Sequence, residues 1–167
     1  MSETDFEYNY AEKPYHWLYP AQVVLVSSVN KEGKANIITL AWAMPASFNP
    51  FMVAICVGNT RYSHKSISET REFVLGIPSE NMVEEALFCG TTSGRDTDKF
   101  SKLTPMKADC VKPPLIKECM ANMECKVVAS IGTGDHTIFV GEVVKIHDSG
   151  RREKKLFDRG NRNFIGL

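Results

Sequence analysis

No sign of charge prevails in this chain. Lys plus Arg and Asp plus Glu each number 20 among 167 residues, so the net charge is zero. A protein that grips nucleic acid through its phosphates needs a basic excess, so nucleic acid is not an expected partner. Cysteine is sparse: Cys56, Cys89, Cys110, Cys119 and Cys125, an odd number with no two-residue spacing. That spacing excludes a zinc ribbon, a thioredoxin-type motif, a secreted disulfide framework and clustered iron–sulfur ligands. Free thiols in a reducing cytoplasm are expected instead. No apolar run is long. "FMVAICV", Phe51 to Val57, is too short to cross a bilayer, so no membrane association is expected. The first seventeen residues, "MSETDFEYNYAEKPYHW", lack the apolar stretch of a secretory leader. Repeats, low-complexity linkers, Gly-x-Gly-x-x-Gly and a Walker loop are all missing.

What is present is an ordinary globular composition, 43% hydrophobic and 24% charged, long enough for one domain with a sizeable core. "QVVLVSSV" and "KANIITLAW" flank the turn residues Asn30 to Gly33 and predict a hairpin. "MPASFNP", with two prolines, predicts a loop, and "FMVAICV" a strand buried on both faces. "RYSHKSISETR" predicts a short helix capped by Ser63. "EFVLGI" follows as a strand. "PSENMVEEALFCG" predicts a helix capped by Ser79, apolar along Val83, Ala86 and Leu87, and stopped by Gly90. "DTDKFSKL" reads as a short helix capped by Asp96. "MECKVVAS" and "TIFVGEVVKI" are strands. Six to eight strands follow one another through short turns without βαβ alternation. That pattern is mainly β, an antiparallel barrel with a few short helices.

"GTGD", Gly132 to Asp135, has the composition of a phosphate-binding loop. Such a loop works by opening a helix, and here a strand follows, so these residues predict a hairpin turn. "TRYSHKS", Thr60 to Ser66, is the better anion site. Arg61 is a bidentate donor, Ser63 and Ser66 bring hydroxyls to a helix start, and Lys65 adds a charge. Asn36 and Thr39 are polar residues in an apolar strand, and Asn36 needs a buried partner. "AMPAS" is small and proline-bent, suited to lying flat beside a ring. "TTSGRDTDKF" is a third polar cluster, by itself no more than a charged surface turn. "RREKKLFDRGNR" sets six basic residues against two acidic ones, as solvated faces commonly do.

The ordered set "YPAQVVLVSS", "ANIITLAW", "PASFNPFMVAICV", "RYSHKSISETREFVLGIP", "SGRDTDKF", "MECKVV" and "GDHTIFVGEVV" resembles the flavin reductase-like proteins with an FMN-binding split barrel, the group of flavoredoxins and archaeal ferric reductases. The resemblance runs from Tyr19 to Ile146. It implies a split barrel over residues 19–167, preceded by an extension over 1–18 that matches no motif. It also implies a cytoplasmic homodimer holding FMN near the subunit interface. Asn36, Ile37, Ile38, Thr39, Met44, Pro45, Ala46 and Ser47 would line the isoalloxazine. Arg61, Ser63, His64, Lys65 and Ser66 would hold the ribityl phosphate. Lys99 and Phe100 would close the site, and His136 would lie beside the ring near the nicotinamide. No metal is implied. The activity implied is reduction of flavin by NADH or NADPH, with onward transfer to free flavin, ferric iron or a redox protein. Two other roles stay open: an electron-transfer module fed by a protein partner, and a binding protein without catalysis.

Overall fold

In a computed structural model the described residues are 13–167. Residues 1–12 of the N-terminal extension lie outside them. Twelve strands and two helices follow in order. They are β1 (Ala21–Gln22), β2 (Val24–Val29), β3 (Ala35–Leu40), β4 (Ala43–Phe48), β5 (Phe51–Gly58), α1 (Tyr62–Thr70), β6 (Glu72–Ile77) and α2 (Val83–Thr91). Then come β7 (Pro105–Met106), β8 (Leu115–Ile116), β9 (Ala121–Thr133), β10 (His136–Asp148), β11 (Leu156–Asp158) and β12 (Phe164–Gly166). Seven strands form the main sheet in the order β3-β2-β6-β9-β10-β5-β4, every pairing antiparallel. The mainly β split barrel expected from the sequence is what the chain forms. No helix among the described residues is long and apolar enough to cross a membrane.

Alternation on β2 and β3 builds two cores. Val24, Val26 and Ile38 point into the barrel with Ile55, Phe73 and Phe139. Val23, Leu25 and Ile37 point the other way, against Ala86 and Cys89 of α2, Leu103 and Leu156. Successive side chains of a strand face opposite ways, so a strand apolar on both faces needs a second layer, here α2 and the C-terminal segment. Gly141 of β10 lets Phe73 through: a Cβ there would lie 2.7 Å from the Phe73 ring.

Four local expectations are corrected. "MPASFNP" is largely strand β4, not loop; β4 is an edge, where Pro45 costs no ladder bond, and a bulge falls between Pro45 and Ser47. Arg61, not Ser63, holds the N-cap position of α1; Ser63 lies buried inside the first turn, turned toward Asn36. The Ser79 segment enters through a single tight turn, Glu80–Met82, before α2, and Gly90 lies within α2 rather than ending it. Gly90 allows a close approach, since a Cβ would lie 3.3 Å from Thr39 Cβ and push that side chain back by a few tenths of an ångström. "DTDKFSKL" makes only the turn Lys99–Ser101, capped by Asp98 through Phe100 N. The Lys99 side chain is drawn inward there, which a longer surface helix would not permit.

The excursion between α2 and β9 is fastened by one carboxylate. Glu124 is fully buried and accepts from the backbone N–H of Asp109, Cys110 and Val111 and from His147 Nε2 at 2.6 Å. Burial alone pushes its pKa up. The N–H of Asp109, the His147 side chain and the N–H groups of Cys110 and Val111 outweigh that and hold it below the ordinary 4.5. The stability this gives is therefore present above the ordinary value and is lost as pH falls through it toward the folded value. Glu124→Gln replaces an acceptor with an NH₂ facing other N–H donors. It should cost about 3 kcal/mol at pH 7 in urea unfolding. The gap from wild type should narrow as the pH is lowered below that range.

Candidate functional site

A cavity of about 370 Å³ opens between β3, the start of α1 and the end of α2. Drug-sized ligands occupy cavities of roughly 300–1,000 Å³. Its walls are built by strand and helix ends. Asn36, Ile38 and Thr39 come from β3, Leu40 to Trp42 continue that wall, Thr60 to Ser63 enter from α1, and Thr91 to Arg95 follow α2. Asn36 finds the partner its burial demands: Nδ2 donates to Ser63 Oγ at 2.7 Å. Thr39 Oγ1 donates to the Ala86 carbonyl at 2.7 Å, tying β3 to α2. Gly94 closes over Asn36 so tightly that no Cβ fits beside Asn36 Oδ1.

Three cations meet here, and among the described residues no carboxylate lines the wall. Arg61 sits at the N-cap of α1, which receives no side-chain cap. The Tyr62 and Ser63 amides have no acceptor within the helix, because its first turn never does. Arg95 donates to the Thr60 carbonyl at 3.2 Å and lies over the Tyr62 ring at 5.7 Å. Lys99 is buried, donating to the carbonyls of Ile37 at 2.8 Å and Cys89 at 2.7 Å. Burial lowers its pKa, Cys89 pulls it back, and Arg61 lowers it further. Among the described residues it has no ion-pair partner. An ammonium with two of its three protons taken up, beside two guanidinium groups, gives this wall a positive charge.

His136 borders the same cavity. Asn59 places it there: Asn59 N donates to the Asp135 carbonyl at 2.9 Å and Thr137 Oγ1 donates to Asn59 Oδ1 at 3.0 Å. These bonds hold the β9–β10 turn against the residues before α1. That turn is Gly134 and Asp135, with Gly134 at φ +70°, so "GTGD" is the hairpin expected. His136 Nδ1 lies 2.7 Å from the Asp135 carboxylate. A carboxylate only accepts, so Nδ1 carries the proton and Nε2 of the neutral ring is left to accept. The imidazole rests against Trp42, ring centroids 4.9 Å apart. Cys56 shares the wall, its thiol pushed up by burial.

Of the residues singled out from the sequence, the cavity gathers Asn36, Ile38, Thr39, Arg61, Ser63, Lys99 and His136. The others lie elsewhere. Ile37 is in the second core, although its carbonyl holds Lys99. Met44, Pro45, Ala46 and Ser47 belong to edge strand β4, and Met44 and Pro45 border a separate apolar groove. His64 turns to Thr137 Oγ1 at 2.8 Å. Lys65 is exposed and 4.0 Å from Glu69. Ser66 is buried under α1, and Phe100 packs on the second core. Sequence reading marked Thr91 to Phe100 as a polar cluster but took only Lys99 and Phe100 of it as site residues, leaving out Thr91 to Gly94 and Arg95, and it passed over Leu40 to Trp42 and Tyr19. The signal for the first group was "SGR", a glycine flanked by a hydroxyl and a cation.

The model of the flavin reductase like domain matches residues 16–166. This chain belongs to that family. The flavin reductase-like chain is 40% identical over 132 residues to an uncharacterized protein of Archaeoglobus fulgidus, covering 78% of this chain and 73% of that one. It is 27% identical over 146 residues to the NADH-dependent FAD reductase of Streptomyces globisporus, covering 85% and 78%. Its fold matches the crystal structure of flavoredoxin from Methanosarcina acetivorans with a TM-score of 0.82 at 28% identity, over 90% of this chain and 86% of that one.

Proposed function

We propose that the chain binds FMN in this cavity and acts as an NAD(P)H-dependent flavin oxidoreductase that passes electrons to an acceptor. The observation that carries the reading is the convergence of Arg61, Arg95 and Lys99 on one cavity that no carboxylate among the described residues lines. The donor set fits a phosphate dianion, and the hydroxyls of Thr60, Ser63 and Ser93 line the same cavity, while those of Thr91 and Thr92 donate to the Leu87 and Phe88 carbonyls. Arg61, Arg95, Ser63 and the first amides of α1 would hold the phosphate, with Lys99 making the potential beneath it more positive. Asn36, Thr39 and the Leu40 to Trp42 backbone would border the ring. When bound, FMN supplies hydride acceptance and onward electron release. The protein supplies orientation and shelter from water. His136, with Nδ1 fixed by Asp135, offers Nε2 as an acceptor at the cavity wall. This clamp differs from the one implied by resemblance: Lys65 lies outside it and Arg95 enters.

Family membership supports flavin chemistry, and the Streptomyces reductase supports NADH as donor. The Methanosarcina flavoredoxin favours a second reading, an electron-transfer protein fed by a partner. Anaerobic addition of NADH and NADPH separates them: bleaching of the bound flavin within seconds is expected, and a flavin that stays yellow in excess of both establishes the second role.

A homodimer is part of the same proposal. Phe48 is 96% exposed and Met44 61%, and the groove beside them is lined by Phe51, Val53, Met120 and Met123. The free edge of β9 beyond Val127 carries no charge and exposes Val128 and Ile131. Uncovered apolar edges of this kind are paired or covered in natural proteins. Sedimentation should give twice the 18.7 kDa chain mass.

Arg61→Ala with Arg95→Ala should weaken FMN binding by at least about tenfold and leave riboflavin nearly unchanged, because charge-assisted hydrogen bonds contribute roughly 1.5–3 kcal/mol each. Lys65→Ala should change neither. Fluorescence titration of both flavins reads the outcome, and equal losses for the two ligands would move the phosphate elsewhere.

His136→Ala should keep FMN affinity and slow NAD(P)H-dependent reduction by about tenfold, equivalent to about 1.4 kcal/mol of barrier. Stopped-flow reduction beside a thermal melt is the check. An unchanged rate with a lowered melting temperature would make His136 a hairpin residue only.

A further inference from the structure

The excursion between α2 and β9 meets the barrel at a second cluster of chemistry-bearing side chains. Asp109, Glu124 and His147 each present one ligand atom, and the three atoms lie within 4.8 Å of one another. They come from three segments, the excursion, β9 and β10. None of them lines the cavity of Arg61, Arg95 and Lys99.

An irregularity in the strand pairing builds this cluster. Cys125 of β9 opposes Val143 of β10, and both pack into the barrel core. Regular alternation would then set Val144 opposite Glu124 and turn Lys145 and His147 inward. The register slips between Val143 and Lys145, so Lys145 opposes Glu124 and His147 opposes Asn122. Opposed residues share a face, so Glu124, Lys145 and His147 stand together on the side of the sheet that the excursion covers. Bulges re-aim side chains in this way and are frequent beside functional sites. Glu124 then captures the excursion. Asp109 N donates to its Oε1 at 2.9 Å, which lays the Asp109 carboxylate beside His147.

The donor set suits a divalent transition ion. Imidazole and carboxylate together are ligands of zinc and its neighbours, whereas calcium and magnesium take oxygen ligands. Donors around a tetrahedral ion with bonds of about 2.1 Å stand roughly 3.4 Å apart. His147 Nε2 lies 2.6 Å from Glu124 Oε1 and 4.0 Å from Asp109 Oδ2, spacings that bracket this value. Glu124 is fully buried and held by three backbone N–H groups, so one ligand is fixed before any ion arrives. The second carboxylate already holds a cation: Lys145 Nζ lies 2.5 Å from Asp109 Oδ2. That ammonium is half-exposed and can turn out to solvent. A cavity of about 610 Å³ runs along the excursion to Asp109 and gives an ion its way in.

We propose that Asp109, Glu124 and His147 form a binding site for a divalent transition ion that clamps the excursion onto β9 and β10. As the ion enters, the Lys145 ammonium leaves Asp109. His147 binds through Nε2 as the neutral ring with its proton on Nδ1, and a ring charged beforehand releases its second proton to water. One oxygen of each carboxylate completes the protein ligands, and water fills the open position. Without the ion, Lys145 balances Asp109 and His147 donates to Glu124, so the segment folds in either state. The site shares no residue with the proposed flavin cavity and stands independently of that reading.

The test is calorimetric titration of the full chain, stripped of metal by chelation, with zinc chloride. Zinc should bind saturably, one ion per chain, and saturating zinc should raise the melting temperature. Asp109→Asn keeps the backbone N–H that Glu124 holds. It should weaken zinc by at least about tenfold and remove most of the melting shift. Lys145→Met removes the competing ammonium and should tighten zinc by about threefold or more. Cys110→Ser, an exposed neighbour of Asp109, should leave zinc affinity unchanged. No saturable binding, wild-type affinity in Asp109→Asn, or weaker binding in Lys145→Met would overturn the site. Zinc lost in Cys110→Ser would also overturn it, by placing the ion on the thiol.

Discussion

A buried ammonium joins the two layers of this molecule. Lys99 reaches from the turn after α2 and donates to one carbonyl of β3 and one of α2. Burying an amine costs several kcal/mol unless its protons are taken up, and two carbonyls take up only two of three. The position is stable because the neighbouring segments are fixed independently: Thr39 bonds to Ala86, and Gly90 brings α2 close against Thr39. The remaining imbalance is expressed as a positive field in the cavity, reinforced by Arg61 and Arg95. Charge held in a low-dielectric wall attracts an anion more strongly than the same charge on the surface. Fold and ligand chemistry meet in one side chain.

The wall that receives this field is assembled from segments far apart in sequence. Asn36 and Ser63 close one side, Gly94 packs over them, and Asn59 brings His136 beside Arg61. None of these contacts is within a single element. Each is a backbone or short polar group with little freedom, so the geometry survives without a ligand to organise it.

Much of this was legible in the chain. The β-branched runs in "QVVLVSSV" and "ANIITLAW" and the turn residues between them specify β2 and β3 as a hairpin. The oddity of Asn36 in an apolar strand pointed to a buried partner, and Ser63 is that partner. Pro45 misled, because proline excludes a central strand but not an edge, and position in a sheet is not a local property. Lys65 misled as well. It is only four residues from Arg61, but Arg61 stands at the extended N-cap while Lys65 points to solvent beside Glu69, and the cation that replaces it, Arg95, is thirty residues on. The membership of Thr91 to Gly94 depends on α2 folding back on β3, which no local pattern encodes.

The paired strands β9 and β10 are each 13 residues long and join through only two residues. Closing so short a loop has a small entropic cost, whereas pairing β5 with β10 must close a loop of nearly eighty residues. This ribbon, like the β4–β5 hairpin that also closes through two residues, is therefore a part of the sheet that assembles with little help from the rest. Once formed, it presents β9 to β6 and β10 to β5 as ready templates. The same two-residue turn that stands His136 at the cavity rim thus also sets the order in which the barrel closes, and a loop lengthened there would slow folding before it touched the chemistry.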